Sequence, residues 1–276
     1  MLDFYQNIPL SIDPIAFSIG SFPVRWYSLC YLAGFLVTYV LLLWRISQGE
    51  LHLKGIGVDL FDLVLFIFLA SFIGGRLGYA LLYNPGYFAT HPVAIFSPFD
   101  QNGSYVGIFG MSYYGALVGA IFALWAYCKK NRKSFWEVSG FIAPAVPAGY
   151  FFGRLGNFLN GELYGRVTTS SWGMYFANNG AVLRWPSQLI EAILEGLLLF
   201  LLLWNMRNNK KYTKSIGLLY VIGYAIARFA SEFFREPDAH AQLLAGIFTF
   251  SQALSVSGLL IACIFFQALR KNTCMV

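Results

Sequence analysis

The densest group of chemically capable side chains in this sequence lies at residues 153–166. Arg154, Asn157, Asn160, Glu162 and Arg166 are interleaved there with Gly153, Gly156, Gly161 and Gly165. Arginine forks grip oxyanions bidentately and keep their charge when desolvated. Asparagine amides add neutral donors, and glycines let backbone N–H groups approach a ligand closely. The combination reads as a site for an oxyanion rather than as a plain surface loop. Other ionisable or phenolic residues are embedded in apolar stretches: Tyr27, Arg76, Tyr113, Tyr114, Glu191, Glu195, Arg228 and Glu232, with Arg235 just beyond. Each has a blander reading. Arg228 and Glu232, four apart, can simply pair on one helix face. Arg76, in Gly74-Gly75-Arg76-Leu77-Gly78, can snorkel to the interface, its glycines serving helix packing. Tyr27, Tyr79 and Tyr83 can belong to an aromatic belt, the reading favoured for Tyr83. Glu191 and Glu195 share a face as like charges, and Glu195 is assigned no role.

Some chemistries have no parts here. The three histidines, His52, His91 and His240, sit neither beside a serine nor within an apolar run. A serine-protease triad and a zinc site are therefore not expected, and phosphate-cradling nucleotide loops are missing too. The four cysteines have neither close spacing nor a partner histidine, so no metal and no disulfide framework is expected. No cofactor is called for.

The elements that must position these residues follow from composition. Of 276 residues, 58% are apolar and 12% are charged, against about 25% charged in soluble domains. So few charges cannot wet the exterior of a soluble fold, and so much apolar surface excludes disorder. The fold class is an all-α membrane protein, a polytopic bundle forming a single integral-membrane domain over 1–276. Spans of about 20 apolar residues fall at 26–43, 60–82, 106–128, 135–152, 188–204, 216–234 and 250–266. Pro144 and Pro147 interrupt the fourth, so its freed carbonyls need other donors. A polar region on the outer side follows at about 153–187. The N-terminus carries Asp3 and no basic region, so it does not read as a cleaved signal peptide. No internal repeat is found, which disfavours an inverted-repeat transporter.

Orientation follows from the basic residues. Twelve of the 19 lie on one side: Arg45 and Lys54; Lys129, Lys130, Arg132 and Lys133; Arg207, Lys210, Lys211 and Lys214; Arg270 and Lys271. The positive-inside rule puts this side in the cytoplasm, with the N-terminus outside and the C-terminus inside. It also accounts for the net charge of +6, and nucleic acid is not expected as a partner. The outer side holds Arg25, Arg154, Arg166, Arg184 and Arg235, and no lysine. In this topology Tyr27, Arg76, Tyr113, Tyr114, Glu191, Arg228 and Glu232 all fall in the outer half of the membrane. Ionisable groups at that depth are costly and mark function by default.

The 153–165 stretch matches in full the signature Gly-Arg-x-Gly-Asn-Phe-x-Asn-x-Glu-x-x-Gly, and the sequence thereby resembles the prolipoprotein diacylglyceryl transferase family. Trp26-Tyr27, the Gly74–Tyr79 block, Pro186-Ser187-Gln188-Leu189, Arg228-Phe229, Glu232-Phe233-Phe234-Arg235 and Pro237-Asp238 extend the likeness from about Asp13 to the last span. That family has seven spans with the N-terminus outside, in agreement with the charge count. One departure stands in the third span. The family usually reads Gly-Met-Ser-Phe-His-Gly, where this chain has Gly110-Met111-Ser112-Tyr113-Tyr114-Gly115, so Tyr114 replaces a histidine often discussed as a base.

The resemblance implies an enzyme of the bacterial cytoplasmic (inner) membrane. It would move the diacylglyceryl group of phosphatidylglycerol to the lipobox cysteine of a preprolipoprotein signal peptide, releasing glycerol phosphate. It implies catalytic roles for Arg154 and Arg228, as phosphate clamps, and for Glu162, Tyr114, Glu191 and Glu232, as possible thiol-proton acceptors. Lipid contacts would come from Arg154, Asn157, Asn160, Gly165, Arg76, Tyr27 and Arg235. Tyr114 is expected to orient lipid or water, since a phenol near its ordinary pKa of ~10 is a poor base at neutral pH. The alternative is a phospholipid-binding transporter or scramblase, using the same arginines without chemistry. A transporter needs a path to the cytoplasmic side, and the charge-poor inner halves of the spans favour the enzyme.

Overall fold

The computed structural model describes residues 2–20, 22–50, 56–99, 110–177, 182–209, 212–236 and 248–273. They divide into two compact units, one made of residues 1–51 with 139–276, the other of residues 52–138.

The first unit opens with α1 (Leu2–Ser11) and an antiparallel hairpin of β1 (Ile15–Ile19) and β2 (Phe22–Arg25), turning at Gly20 with φ +61°. α2 (Trp26–Ser47) follows directly. Tyr5 and Ile8 of α1 pack on a core of Phe158, Met174 and Phe176. Leu159 and Tyr164 of the polar segment pack on the same core, and neither α1 nor the hairpin was expected from the apolar pattern.

The fourth expected span is two helices. The apolar run expected as one span over 135–152 divides into α6, Phe135–Ile142, and α7, Val146–Leu159. Pro147 sits in the first turn of α7, where its missing N–H costs nothing. At the break, Ala145 N donates to Ile142 O (3.0 Å), which frees Phe141 O. Pro144 likewise offers no N–H to Gly140 O. Both carbonyls are reached by Arg45 Nη1, a buried guanidinium on α2, at 3.5 Å for Gly140 O. The expected need for outside donors is therefore met by a side chain.

α7 lies close along α2. A Cβ at Gly34 would come within 2.7 Å of Gly149 O, and one at Gly149 within 2.9 Å of Gly34 O. Further along, a Cβ at Gly156 would meet Cys30 Cβ at 2.9 Å and the Tyr27 backbone at 3.4 Å. α8 (Ser187–Met206) carries a π-helical stretch over Ala192–Leu198. Its Gly196 leaves room for Phe151 of α7. α9 (Ile216–Ser231) and α10 (Phe250–Thr273) complete the unit.

The second unit contains α3 (Ile56–Leu82), α4 (Pro85–Thr90), a 3-10 turn at Pro92–Ile95 and α5 (Tyr113–Lys130). α3 and α5 meet through small residues: Gly74 and Gly78 face Gly115, and Gly119 faces Ala70. The glycines around Arg76 thus serve packing.

Among the described residues, four helical stretches are long and apolar enough to cross a membrane: Trp26–Ser47, Leu60–Leu82, Ser187–Met206 and Phe250–Leu269. They match the first, second, fifth and seventh expected spans. α9 is a shorter apolar helix and stops at Ser231 rather than running to residue 234. The third expected span is represented by α5; its first residues, 106–109, lie outside the described ones, as does Pro237-Asp238.

Candidate functional site

The polar segment at 153–166 is half helix. Arg154 and Asn157 occupy the last turns of α7, and the helix stops at Asn160, with Gly161 at φ +67°. Gly161 N donates to Phe158 O (3.0 Å) and Glu162 N to Asn157 O (3.1 Å), closing the end. This return brings Glu162 back over the helix, where its Oε1 accepts from Asn157 Nδ2 at 2.9 Å. Asn157 Oδ1 in turn accepts from Arg154 Nη1 at 3.3 Å. Arg154, Asn157 and Glu162 therefore form one chain of hydrogen bonds, because a helix places residues three apart side by side.

α8 supplies the other wall. Gln188 Nε2 donates to Glu162 O (2.6 Å) and Ser187 Oγ to Leu163 O (3.0 Å), fixing the segment to the start of the helix. One turn on, Glu191 is fully buried. Its Oε1 accepts from Arg228 Nη1 (3.2 Å) and Arg235 Nη1 (3.3 Å). Its Oε2 lies 2.8 Å from Arg154 Nε, an ionic contact. The Nε hydrogen, however, points to the Tyr150 hydroxyl, also at 2.8 Å. Oε2 is thereby left as a buried oxygen with no hydrogen bond among the described residues.

Around this centre stand three arginines, Arg154, Arg228 and Arg235, and three glutamates, Glu191, Glu195 and Glu232. Arg228 Nη2 pairs with Glu232 Oε2, and Glu232 Oε1 accepts from Thr249 Oγ1 at 2.9 Å. The pairing expected from their spacing is present, but as part of a larger network. Glu195 is fully buried and accepts from the Tyr150 hydroxyl and from Ser231 Oγ (2.5 Å). Opposite charges balance within the group, which is what makes such burial tolerable.

Arg235 is positioned by backbone pairing of residues 165 and 235. Gly165 N donates to Trp185 O (2.8 Å) and Arg166 N to Phe234 O (2.9 Å). A Cβ on Gly165 would fall 2.7 Å from Trp185 O, so the close approach itself requires glycine. Asn160 Oδ1 accepts from Arg25 Nη1 at 3.4 Å. Tyr27, in the first turn of α2, packs against Tyr31 with the rings tilted by 47° and 4.6 Å between centroids, and its backbone backs onto Gly156.

Arg154 differs from its neighbours in availability. Its side chain keeps 13% of its surface exposed, while Arg228 keeps 8% and has both terminal nitrogens committed to carboxylates. The Tyr150 ring also carries the Arg154 guanidinium, 5.0 Å from the centroid. Nε and Nη1 are thus engaged by Tyr150 and Asn157. The arrangement is a cation fork held on a buried ionic network, suited to a phosphate.

Arg76 and Tyr114 belong to the second unit. Arg76 is buried and donates to Ile95 O (2.7 Å), Gly110 O (2.7 Å) and Ala94 O (3.1 Å). It ties loop carbonyls together, a task its setting among glycines did not announce. Tyr114 lies in the first turn of α5, half-buried, its ring edge-on to Tyr113 at 5.6 Å, behind the Ser112 cap that accepts from Gly115 N. Sequence reasoning missed Tyr150, Ser231 and Thr249. Tyr150 stands one helical turn before Arg154, and that spacing was a usable signal.

These features define a class: a helical protein with membrane-length apolar helices, built around a buried arginine–glutamate network beneath a glycine-rich polar segment. The family model described as prolipoprotein diacylglyceryl transferase matches residues 14–268. The chain belongs to that family. Among its relatives, a phosphatidylglycerol–prolipoprotein diacylglyceryl transferase of Aliarcobacter butzleri is 43% identical, over 98% of each chain. Proteins of the same name from Idiomarina loihiensis and Campylobacter lari are each 40% identical, the first over 97% of both chains, the second over 92% of this chain and 93% of its own. The likeness expected from the signature is thus borne out over nearly the whole length.

Proposed function

We propose that this chain transfers the diacylglyceryl group of phosphatidylglycerol to the lipobox cysteine of a preprolipoprotein in the bacterial cytoplasmic membrane. The observation that carries this reading is the family match over residues 14–268, which spans the polar segment and helices α2, α7, α8 and α9. The transporter or scramblase alternative gains no support from it.

The reaction balances simply. The cysteine sulfur attacks the glyceryl carbon bonded to the phosphate oxygen. A C–S bond forms, the C–O bond breaks, and glycerol phosphate leaves with the bonding pair. The thiol proton goes to a protein base or water. Charge therefore develops on the leaving phosphate, and Arg154 is the cation that receives it in this scheme. Arg228, expected as a second clamp, has a different task here. With Arg235 it holds Glu191 beneath the lipid site. In this scheme Glu191 and Glu232 serve as partners of the arginines. Glu162 is held by the neutral Asn157 amide, and it takes the thiol proton in this scheme. Asn157 couples that base to the clamp. Asn160, Gly165 and Tyr27 shape the walls beside the lipid headgroup. Arg76 secures its loop, and Tyr114 supplies a hydrogen bond to lipid or water.

The seven-span topology, with the N-terminus outside and the C-terminus in the cytoplasm, sets the site in the outer half, where exported substrates arrive. Purified protein is incubated with phosphatidylglycerol and a synthetic lipobox peptide. The expected result is a peptide mass raised by one diacylglyceryl group in thioether linkage. Unmodified peptide with folded protein overturns the reading.

A further inference from the structure

We infer that Tyr150 is a positioning residue: within the ion pair of Arg154 with Glu191, its hydroxyl takes the Arg154 Nε hydrogen and so aims the guanidinium fork at the lipid phosphate. The inference rests on the transferase reading above. Its starting point is a competition. Arg154 Nε has one hydrogen and two acceptors at the same distance of 2.8 Å, the Tyr150 hydroxyl and Glu191 Oε2. A carboxylate is the stronger acceptor, because a hydrogen bond between two charges exceeds one to a neutral oxygen. The hydrogen nonetheless goes to tyrosine, and Glu191 Oε2 remains buried without a hydrogen bond.

Glu195 explains the preference. It is fully buried, and its Oε1 is occupied by Ser231 Oγ at 2.5 Å. Its Oε2 faces the Tyr150 hydroxyl. The tyrosine hydroxyl donates to this oxygen. The lone pairs on the tyrosine oxygen then face Arg154 Nε, made more basic by the bond beyond it. Glu195, which the sequence left without a role, thus sets the polarity of the chain Arg154 to Tyr150 to Glu195. The face of the same ring supports the guanidinium. Without the hydroxyl, the Nε hydrogen turns to the open Glu191 Oε2. The guanidinium turns with it, and its Nη edge loses the aim that the phosphate requires.

The test is Tyr150→Phe, which removes one oxygen and keeps the ring. Peptide modification is followed in mixed micelles of varied phosphatidylglycerol content, with thermal unfolding measured on the same preparations. KM for phosphatidylglycerol is expected to rise about tenfold, with kcat within about twofold and folding unchanged, the pattern of lost binding rather than lost chemistry. Lysine has no Nε–H fork for the hydroxyl to hold. In an Arg154→Lys background, equilibrium titration with phosphatidylglycerol should therefore show no further weakening when Tyr150→Phe is added. An unchanged KM, a fall confined to kcat, an equal loss in the lysine background, or failure of Tyr150→Phe to fold would each overturn the proposal. Wild-type protein assayed alongside separates the two claims: if it forms the thioether adduct, the transferase reading stands whatever Tyr150→Phe does.

Discussion

At the scale of single residues, the two arginines expected to act alike are predicted to fail differently. Arg154→Lys keeps the charge and loses the fork, so kcat/KM should fall by at least about a hundredfold, while the unfolding temperature stays near wild type. Arg228→Ala instead strands Glu191 and Glu232, both buried, and removing one partner of such a pair costs about 3–5 kcal/mol. Its signature is lost folded protein in detergent, before any assay of turnover. Equal stability of the two variants would show that Arg228 is not the support described here. Tyr114→Phe should reduce activity without abolishing it, since one hydrogen bond is worth roughly 0.5–1.5 kcal/mol. Tyr114→His should remain active, and full loss in Tyr114→Phe with Tyr114→His active would make this residue the proton acceptor. Much of the site was legible in residue types: arginine, asparagine and glycine at tight spacing announce an anion, and Arg228 with Glu232 announces a pair. What stayed hidden was the joining of helices. Nothing in the chain near Arg154 tells that Glu191 comes from another helix to meet it, or that Tyr150 intervenes between them.

At the scale of elements, the site depends on how closely α7 lies against α2. Gly149 faces Gly34 O and the Thr38 hydroxyl at distances that leave no room for a methyl group. Gly149→Ala should therefore push the helices apart, carry Arg154 with α7, and destabilise the protein by about 1–3 kcal/mol, as overpacking does. Gly86 has open space around it and a negative φ, so Gly86→Ala serves as the neutral comparison. Thermal unfolding of the two variants in one detergent checks the pair; equal midpoints would mean that the α2–α7 contact yields freely. Apolar runs made the long helices readable, and Pro144 with Pro147 made the break between α6 and α7 readable. α1 and the β1–β2 hairpin were not, because they are held by a local core and a turn rather than by a membrane-length stretch. The π-helical stretch of α8 has no sequence signal either. Its residues read as ordinary apolar helix, and only the packing of Phe151 against Gly196 shows how closely α7 and α8 approach there.

At the scale of the whole molecule, the reaction demands that the site open to the side where prolipoproteins emerge, and the charge pattern alone sets that side. Twelve basic residues, including four in the short connection from Lys129 to Lys133, mark one face; the other has five arginines, and two of these, Arg154 and Arg235, belong to the buried network. In the proposed topology Asn131 is expected in the cytoplasm, and Gln101 and Thr169 are expected outside. Single cysteines at these positions, in a background with the native cysteines replaced by alanine, are exposed in intact cells to a membrane-impermeant thiol reagent. Labelling is expected at 101 and 169 and not at 131, with 131 becoming reactive once the cells are opened. The reverse pattern would turn Arg154 and its lipid phosphate toward the cytoplasm, where no exported cysteine arrives, and the proposed reaction could not occur as described.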